Sequence, residues 1–289
     1  MPDDHPTHTK LFPIRELSAR TQVNTVTLRA WERRYGLLKP ERTTKGHRLY
    51  SEDDVVIIEE ILALVARGVP LGKVKPLLQG DMSVVLSGDE AENWQTSVEE
   101  LIASIEAFSA TKVEHLIHES FAQYPVPVCR QRLLEPSFAE LAQRGDSGAA
   151  FGFAENELIR YAVLRLNAKV AKKKHSVAVT LIAGHQAPLW RLALMALELS
   201  DTGFIVQLLH RPFSVTAAIE LAEKRGDTYT VFYQDGLWKD KEQASVTAAL
   251  IVNKRLFMCG TAPALTPLGT QERVFADVKT CLNGLLTLQ

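Results

Sequence analysis

The stretch from Thr25 to Tyr50 constrains the fold of this chain more than any other segment, because it combines an amphipathic helix with a tight hairpin. Asn24 is a good N-cap for a helix that follows it, and Gly36 supplies the left-handed residue at which such a helix ends. Further along, Lys45-Gly46 provides the positive φ of a hairpin turn. The pattern predicts a short helix, a turn and a two-stranded wing.

The two faces of this predicted helix differ in chemistry. Leu28, Trp31 and Tyr35 fall at helical spacing and form one apolar stripe, which predicts the buried side. The opposite face is small and basic and carries Val26, Arg29, Ala30 and Arg33. Small side chains let a helix approach base edges, and arginine binds phosphate or guanine, so this pattern is typical of DNA recognition. Trp31 itself is interpreted either as a core aromatic or as a contact to the DNA backbone.

The charge of the chain is unevenly distributed. The 289 residues have a net charge of −1, but residues 1–80 carry +3 and the remainder −4, and nine basic residues face three acidic ones between Ile14 and Tyr50. A local excess of positive charge attracts a polyanion, whereas a nearly neutral total argues against nonspecific binding by the whole surface. The predicted binding face is therefore confined to the N-terminal part of the chain.

Cysteine usage and hydropathy indicate the compartment. Cys129, Cys259 and Cys281 are widely spaced, which argues against a disulfide framework or a zinc knuckle and fits a reducing environment. No apolar run reaches the ~18 residues of a membrane span, and the N-terminus lacks the features of a signal peptide. We therefore expect a cytoplasmic, nucleoid-associated protein with no membrane partner.

Two pairs of histidines are candidate metal ligands. His5 and His8 lie in a tail rich in proline and aspartate, a composition typical of disorder. His115 and His118 lie three residues apart beside glutamates. They are interpreted either as a pair of metal ligands or as part of a solvated helix face, and no third ligand is recognisable. We predict no metal site.

Breakers and periodicity divide the chain into modules. The predicted order is a disordered tail at 1–11, a mainly α winged helix-turn-helix domain at 12–80, a linker at 81–92, a four-helix bundle at 93–175 and an α/β Rossmann-like domain at 176–289. Alternating β-rich and helical stretches in the last module predict a mostly parallel sheet. The predicted strands are Val177–Ala183, Phe204–Leu209, Thr228–Tyr233 and Leu256–Gly260, while Glu272–Leu288 is compatible with a strand or a helix.

Two motifs stand out between Phe12 and Leu78, namely Thr-Leu-Arg-Ala-Trp-Glu-Arg-Arg-Tyr-Gly-Leu-Leu-Lys-Pro at 27–40 and Gly-His-Arg-Leu-Tyr at 46–50. They resemble the winged helix-turn-helix domain of the MerR family of transcription regulators. The resemblance implies a recognition helix at Asn24–Tyr35 and a wing at Arg42–Tyr50. The residues then expected at DNA are Thr25, Val26, Thr27, Arg29, Ala30, Arg33, Arg34, Arg42, Lys45, His47, Arg48 and Tyr50.

The order of the modules further resembles the MlrA/CarH-like branch of that family, some members of which bind cobalamin. Those members carry an acid-x-His-x-x-Gly signature after the first strand of the α/β domain, and here the matching positions hold His185, Ala187 and Trp190. A Glu-His pair of their last bundle helix aligns with Glu157-Leu158. Cobalt requires an imidazole ligand beside open backbone, so the resemblance implies a degenerate cobalamin-binding-type domain without a cofactor.

The resemblance implies a sequence-specific homodimer that binds double-stranded promoter DNA and acts on RNA polymerase indirectly. Activation by distortion of the promoter is the expected mode. The alternative is a cobalamin-dependent light- or ligand-sensing repressor, which the departures at Ala187, Trp190 and Leu158 oppose. A protein partner of the α/β domain is a further expectation.

An enzyme is not expected, because the Ala-Gly-His turn after Ile182 is not a phosphate-binding loop and no catalytic triad motif is recognisable. A lysine cluster at Lys169 and 172–174 either holds a phosphorylated ligand such as a cyclic dinucleotide or is the solvated end of a helix.

Overall fold

The structure, a computed structural model, describes residues 11–80, 89–144, 148–168, 177–226, 228–268 and 271–288. The chain divides into two units, Met1–Ala150 and Phe151–Gln289. The two histidines of the predicted N-terminal tail, most of the predicted linker and the lysine cluster beginning at Lys169 lie outside the described residues.

The first unit begins with the predicted winged helix-turn-helix. Its helices are α1 (Ile14–Thr21) and α2 (Thr25–Ala30), and α2 continues as one π-helical turn through Trp31–Tyr35. Asn24 caps α2, because its side-chain oxygen accepts hydrogen bonds from the backbone N–H groups of Val26 and Thr27 at 2.8 and 3.0 Å. Gly36 ends the π-helical turn with a φ of +58°, as the sequence predicts.

A small antiparallel sheet forms the wing. β2 (Glu41–Arg42) and β3 (Arg48–Tyr50) are the predicted hairpin, and β1 (Phe12–Pro13) pairs with β3 on the other side. The strand β1 is not predicted by the sequence, because two residues carry no periodicity that could reveal it.

Two further helices, α3 (Glu52–Ala66) and α4 (Leu71–Leu78), complete the helix-turn-helix domain. A capping box starts α3, since Ser51 N donates to the Asp54 carboxylate at 2.8 Å. Side chains from the four helices and from β1 and β3 share one core, which includes the fully buried Leu28, Trp31 and Tyr50.

The rest of the first unit is helical. Its helices are α5 (Asp89–Glu106), α6 (Ala110–Gln123), α7 (Val126–Cys129) and α8 (Glu135–Gln143), with a π-helical segment at Arg130–Leu134 joining the last two. The linker predicted at 81–92 is too long, because α5 already begins at Asp89 within it.

All but the first two residues of α9 (Ala149–Ala168) belong to the second unit, and its side chain Leu166 is part of the core beneath the sheet. The sequence assigns this helix to a bundle ending at 175, so its grouping with the sheet differs from the predicted boundary. Periodicity identifies an amphipathic helix but does not show which neighbour covers its apolar side.

Five parallel strands form the sheet, in the order β5-β4-β6-β7-β8. They are β4 (Ala178–Gly184), β5 (Ile205–Phe213), β6 (Tyr229–Tyr233), β7 (Leu256–Cys259) and β8 (Val274–Phe275). The helices are α10 (Leu189–Asp201), α11 (Val215–Lys224), α12 (Asp240–Val252), α13 (Thr261–Ala264) and α14 (Val278–Leu286), and a 3₁₀ turn lies at Gln271–Arg273. Each predicted strand is present, and the stretch from Glu272 contains both a strand and a helix.

Each face of the sheet has its own core. One core contains Leu181 and Val231 with side chains of α10 and α14, and the other contains Ile182 and Phe232 with side chains of α11 and α12. Neighbouring residues of one strand point to opposite faces, so the central strands β4, β6 and β7 are covered on both sides, whereas the edge strand β5 is largely exposed. The predicted fold class is confirmed: a winged helix-turn-helix and further helices precede a Rossmann-like α/β unit.

Candidate nucleic-acid interface

The recognition helix, Thr25–Tyr35, presents a partly basic face to solvent. Val26 is 59% exposed, and Arg29 and Arg33 are exposed one and two turns further along. The Arg33 guanidinium bends back along the helix and donates from Nε to the backbone oxygen of Arg29 at 3.4 Å. An apolar side chain followed by two arginines can contact thymine methyl groups, guanine and phosphates.

Three residues that the sequence assigns to DNA contact are buried. Thr27 and Tyr50 are fully buried, and Ala30 is 6% exposed. Their side chains are therefore enclosed in the protein core, and their assignment to the DNA interface stays a prediction. Ala30 lies on the helix face that periodicity predicts to be exposed. That exposed face is narrower than predicted, because α2 also packs against α6. Thr25, which is partly exposed, and Arg34, which is exposed, remain accessible.

The turn of the wing carries accessible cationic and imidazole groups. Arg42 pairs with Arg48 across the hairpin, and the connecting turn is closed by a hydrogen bond from Thr43 N to His47 O at 2.9 Å. Gly46 adopts a φ of +80°, which the sequence predicts for this turn. Lys45 and His47 are exposed at its tip. This geometry extends the basic surface beyond the recognition helix.

A carboxylate of the recognition helix holds the base of the wing. Arg48 Nε donates to Glu32 Oε2 at 2.7 Å and to Oε1 at 3.0 Å, and Arg42 Nη2 lies 3.8 Å from Oε1. The hydrogen bond with Glu32 raises the pKa of Arg48 above its ordinary value. Of the two wing arginines assigned to DNA contact, Arg48 is therefore bound within the protein, whereas the Arg42 side chain is 57% exposed near the same carboxylate. The sequence alone indicates no role for Glu32, although it is an acid inside a strongly basic segment.

The inner side of the recognition helix is fixed to the helical region of the same unit. Trp31 Nε1 donates to the backbone oxygen of Gln123 at 2.8 Å, and Tyr35 Oη donates to the Gln123 side-chain oxygen at 2.6 Å. Burial raises the pKa of the neighbouring Tyr124 to about 12. The predicted apolar stripe is confirmed, with Trp31 as a core residue and Tyr35 half-buried.

Comparison with known proteins agrees with this geometry. Residues 12–81 match the model of the MerR HTH family regulatory proteins. The HTH-type transcriptional regulator MlrA of Salmonella typhimurium is 32% identical over 205 residues, which are 71% of this chain and 82% of that protein. The chain belongs to the MerR family. It is a DNA-binding transcription regulator of the MlrA/CarH-like branch.

Two further similarities are found for this MerR-family chain. The HTH-type transcriptional repressor CarH of Myxococcus xanthus is 30% identical over 132 residues, covering 42% of this chain and 43% of that protein. The structure of the Methanosarcina barkeri monomethylamine corrinoid protein superposes with a TM-score of 0.45 at 13% identity, over 68% of this chain and 99% of that one.

The degenerate cofactor signature lies where β4 ends and α10 begins. His185 is exposed, Ala187 is partly buried, and Trp190 is 6% exposed in the first turn of α10, with the Arg191 guanidinium 5.0 Å from its ring centroid. Leu158, aligned with the histidine of the second signature, is fully buried.

Glutamine side chains occupy the space above the strand ends at this place. A β-carbon on Gly184 would lie 1.9 Å from Gln234 Oε1, and one on Gly236 would lie 1.8 Å from Gln186 Oε1. In sheets of this strand order, ligands bind outside the carboxyl ends of the strands where the order reverses, which here is between β4 and β6. The chain fills that crevice itself and offers cobalt no imidazole at Ala187, so these residues do not fit cobalamin.

Glu155 of α9 caps α10 from a neighbouring element. Glu155 Oε1 accepts a hydrogen bond from the backbone N–H of Trp190 at 3.2 Å. The N-cap residue Pro188 makes no such side-chain hydrogen bond, so Glu155 supplies the acceptor at this helix end. Burial raises the pKa of Glu155 above its ordinary value, and the backbone hydrogen bonds oppose that shift. The sequence gives no indication of this cap, because the two residues are distant in the chain.

Other candidate sites are not assembled. His115 lies 3.7 Å from Glu119 on an exposed helix face, and within the described parts of the chain no three His, Cys, Asp or Glu side chains come together as metal ligands. None of the helices searched in those parts is long and apolar enough to cross a membrane.

Proposed function

We propose that this MerR-type regulator binds promoter DNA as a homodimer and activates transcription by distorting the DNA between promoter elements. The observation that carries the proposal is the exposed face of Val26, Arg29 and Arg33 beside a wing with accessible Lys45 and His47. A helix of this size in the major groove reads only a few base pairs, so one copy provides little selectivity. Two copies related by a two-fold axis would read a near-palindromic site.

Distortion of the promoter follows from the mode of action expected of this family. An activator that realigns two promoter elements must bend or untwist a stiff duplex, and the additional contacts made by the wings offset that cost. RNA polymerase then responds to the shape of the DNA, so the regulator acts on it indirectly. Such a protein acts at the nucleoid in the cytoplasm.

The proposed function is tested in two steps. Chromatin precipitation with sequencing identifies the bound sites, and footprinting on one of them should show two protected half-sites with altered cleavage between them. Electrophoresis of permuted fragments should show a position-dependent mobility, as expected for bent DNA. Straight DNA with uniform protection would contradict distortion, and light scattering that reports a monomer on DNA would contradict the dimer.

We assign the second unit a regulatory role without catalysis, as the receiver of a protein partner. Its sheet is covered on both faces and its ligand crevice is filled by Gln186 and Gln234, so its outer surface is what remains for a signal. Cross-linking in cells followed by mass spectrometry tests this role. The expected product joins a second protein to residues of 177–288.

The alternative function is a cobalamin-dependent light- or ligand-sensing repressor, and the similarity to the repressor CarH is the observation that favours it. The filled crevice and the absence of an imidazole at Ala187 oppose it. Incubation with adenosylcobalamin, desalting and a visible spectrum distinguish the two functions. A stoichiometric, retained corrin chromophore would establish the alternative.

A further inference from the structure

Glu32 is an acidic side chain in the most basic segment of the chain. Only 13% of its side chain is exposed, and both of its carboxylate oxygens accept from the Arg48 guanidinium at 2.7 and 3.0 Å. An acid beside a DNA-binding face repels phosphates and so lowers affinity. Its presence requires a role that compensates for this repulsion.

The hairpin supplies a reason for a carboxylate at this place. Arg42 and Arg48 are direct partners across β2 and β3, and like charges directly opposite one another destabilise a strand pair. Glu32 lies 3.8 Å from the Arg42 guanidinium while it binds Arg48, so one carboxylate offsets the repulsion between two arginines. The wing is thereby held against the recognition helix.

The backbone of Glu32 is itself anchored. It lies in the π-helical turn directly after Trp31, whose side chain is fully buried and donates to the Gln123 backbone. Such an anchored carboxylate can fix the position of the wing, because the helix that carries it cannot easily move.

We propose that Glu32 is a positioning residue for DNA recognition, which keeps Arg48 on the protein and fixes the wing relative to the recognition helix. The carboxylate lowers the affinity for DNA of any sequence and raises the ratio of specific to nonspecific affinity. This proposal rests on the proposed binding of DNA by the recognition helix and wing.

The test is the substitution Glu32→Gln, which removes the charge and keeps the size of the side chain. Arg48 is then released to phosphate, so nonspecific affinity rises and the slope of log K against log salt concentration steepens by about 0.9. The wing is then no longer held in position against the recognition helix. The ratio of specific to nonspecific affinity should therefore fall about tenfold, which is the effect of losing a single base contact. Fluorescence anisotropy on the selected site and on a scrambled duplex measures both quantities.

The matched control is Glu41→Gln, which makes the same charge change on the hairpin that Glu32 contacts. Glu41 is exposed and forms no ion pair within the described parts of the chain. Nonspecific affinity should rise in this variant too, but the specificity ratio should equal that of the parent protein. An equal fall of the ratio in both variants would show a simple charge effect and overturn the positioning role, as would an unchanged ratio in Glu32→Gln.

A second variant keeps the proposal testable if Glu32→Gln does not fold. Arg48→Gln should lower the specificity ratio and leave the salt slope unchanged, because Arg48 neutralises no phosphate in the parent complex. A slope flatter by about 0.9 would place Arg48 on a phosphate and overturn the proposal. Failure of the parent protein to bind any selected DNA would instead refute the proposed function itself, before the variants are compared.

Discussion

Trp31 of the recognition helix donates a hydrogen bond from Nε1 to the backbone oxygen of Gln123, 2.8 Å away, and so ties the DNA-binding element to the end of α6. Tyr35, one turn further along, binds the side chain of the same glutamine at 2.6 Å. Both aromatic residues belong to the inner side of the helix. The orientation of the recognition helix is therefore set by the helical region as well as by its own domain.

The first prediction concerns this attachment. Tyr35→Phe removes one hydrogen bond in a half-buried site and should lower the free energy of unfolding by about 1 kcal/mol. Gln123→Ala removes the same bond from the other side but leaves the backbone oxygen that Trp31 uses. Urea unfolding of both single variants and the double variant should show strong coupling, since the second change removes a bond that is already broken. Additive effects would show that the two side chains do not interact.

The second prediction concerns the exposed arginines. Arg29→Ala and Arg33→Ala should each weaken DNA binding about tenfold with unchanged melting temperature, and if either arginine binds a phosphate, its removal should flatten the salt slope by about 0.9. Arg67→Ala is the control, because it removes an exposed charge at the end of α3 in the same unit. Anisotropy titrations over a range of salt concentrations provide the measurement. If both variants bind DNA as tightly as the parent protein, this face of the recognition helix does not belong to the interface.

The third prediction separates folding from DNA binding at the cap of α2. Asn24→Ala leaves two backbone N–H groups without their acceptor and should cost about 1 kcal/mol of stability. Asn24→Asp retains the acceptor, so stability should stay near that of the parent, while the added negative charge beside phosphates weakens DNA binding. Thermal unfolding and anisotropy on the same samples test both parts. Equal loss of stability in the two variants would contradict the capping role.

The fourth prediction is a pH dependence at Glu155. Because burial raises its pKa in the folded protein above the ordinary value of 4.5, the folded state holds this proton more tightly than the unfolded state. The corresponding stability is fully present below pH 4.5 and is lost as the pH rises through the folded pKa. Glu155→Gln keeps an acceptor for the Trp190 backbone N–H but has no carboxyl group that titrates. The melting temperature of this variant should therefore exceed that of the parent increasingly as the pH rises towards neutrality.

A matched variant at the same position distinguishes titration from capping. Glu155→Ala removes the acceptor altogether and should lower the free energy of unfolding by about 1 kcal/mol. Its melting temperature should therefore be lower across the whole pH range. A constant difference between Glu155→Gln and the parent from acid to neutral pH would show that Glu155 does not titrate in this window.

Local patterns in the sequence predicted much of the candidate site. The Asn24 cap, the Gly36 terminus and the Gly46 turn each depend on one residue whose backbone or side-chain chemistry permits few alternatives. The burial of Leu28 and Trp31 followed from helical periodicity alone. The parallel sheet likewise followed from alternating strands and helices, because a helix that crosses over between two strands lets the second strand run parallel to the first.

Other features depend on residues far apart in the chain. The attachment of Trp31 to Gln123, the cap of α10 by Glu155 and the filling of the strand-end crevice by Gln234 each join distant elements. No periodicity or spacing encodes such pairs. The burial of Ala30 was missed for the same reason.

The sequence by itself determined the class of DNA-binding element and the order of strands and helices along the chain, because local conformational preferences and apolar periodicity are properties of neighbouring residues. Only the tertiary structure decided which cations remain free. Arg48 has the same formal charge as Arg29, yet Glu32 binds it within the protein. An ion pair depends on distances of a few ångströms between side chains, and those distances exist only once the helix and the wing have packed together.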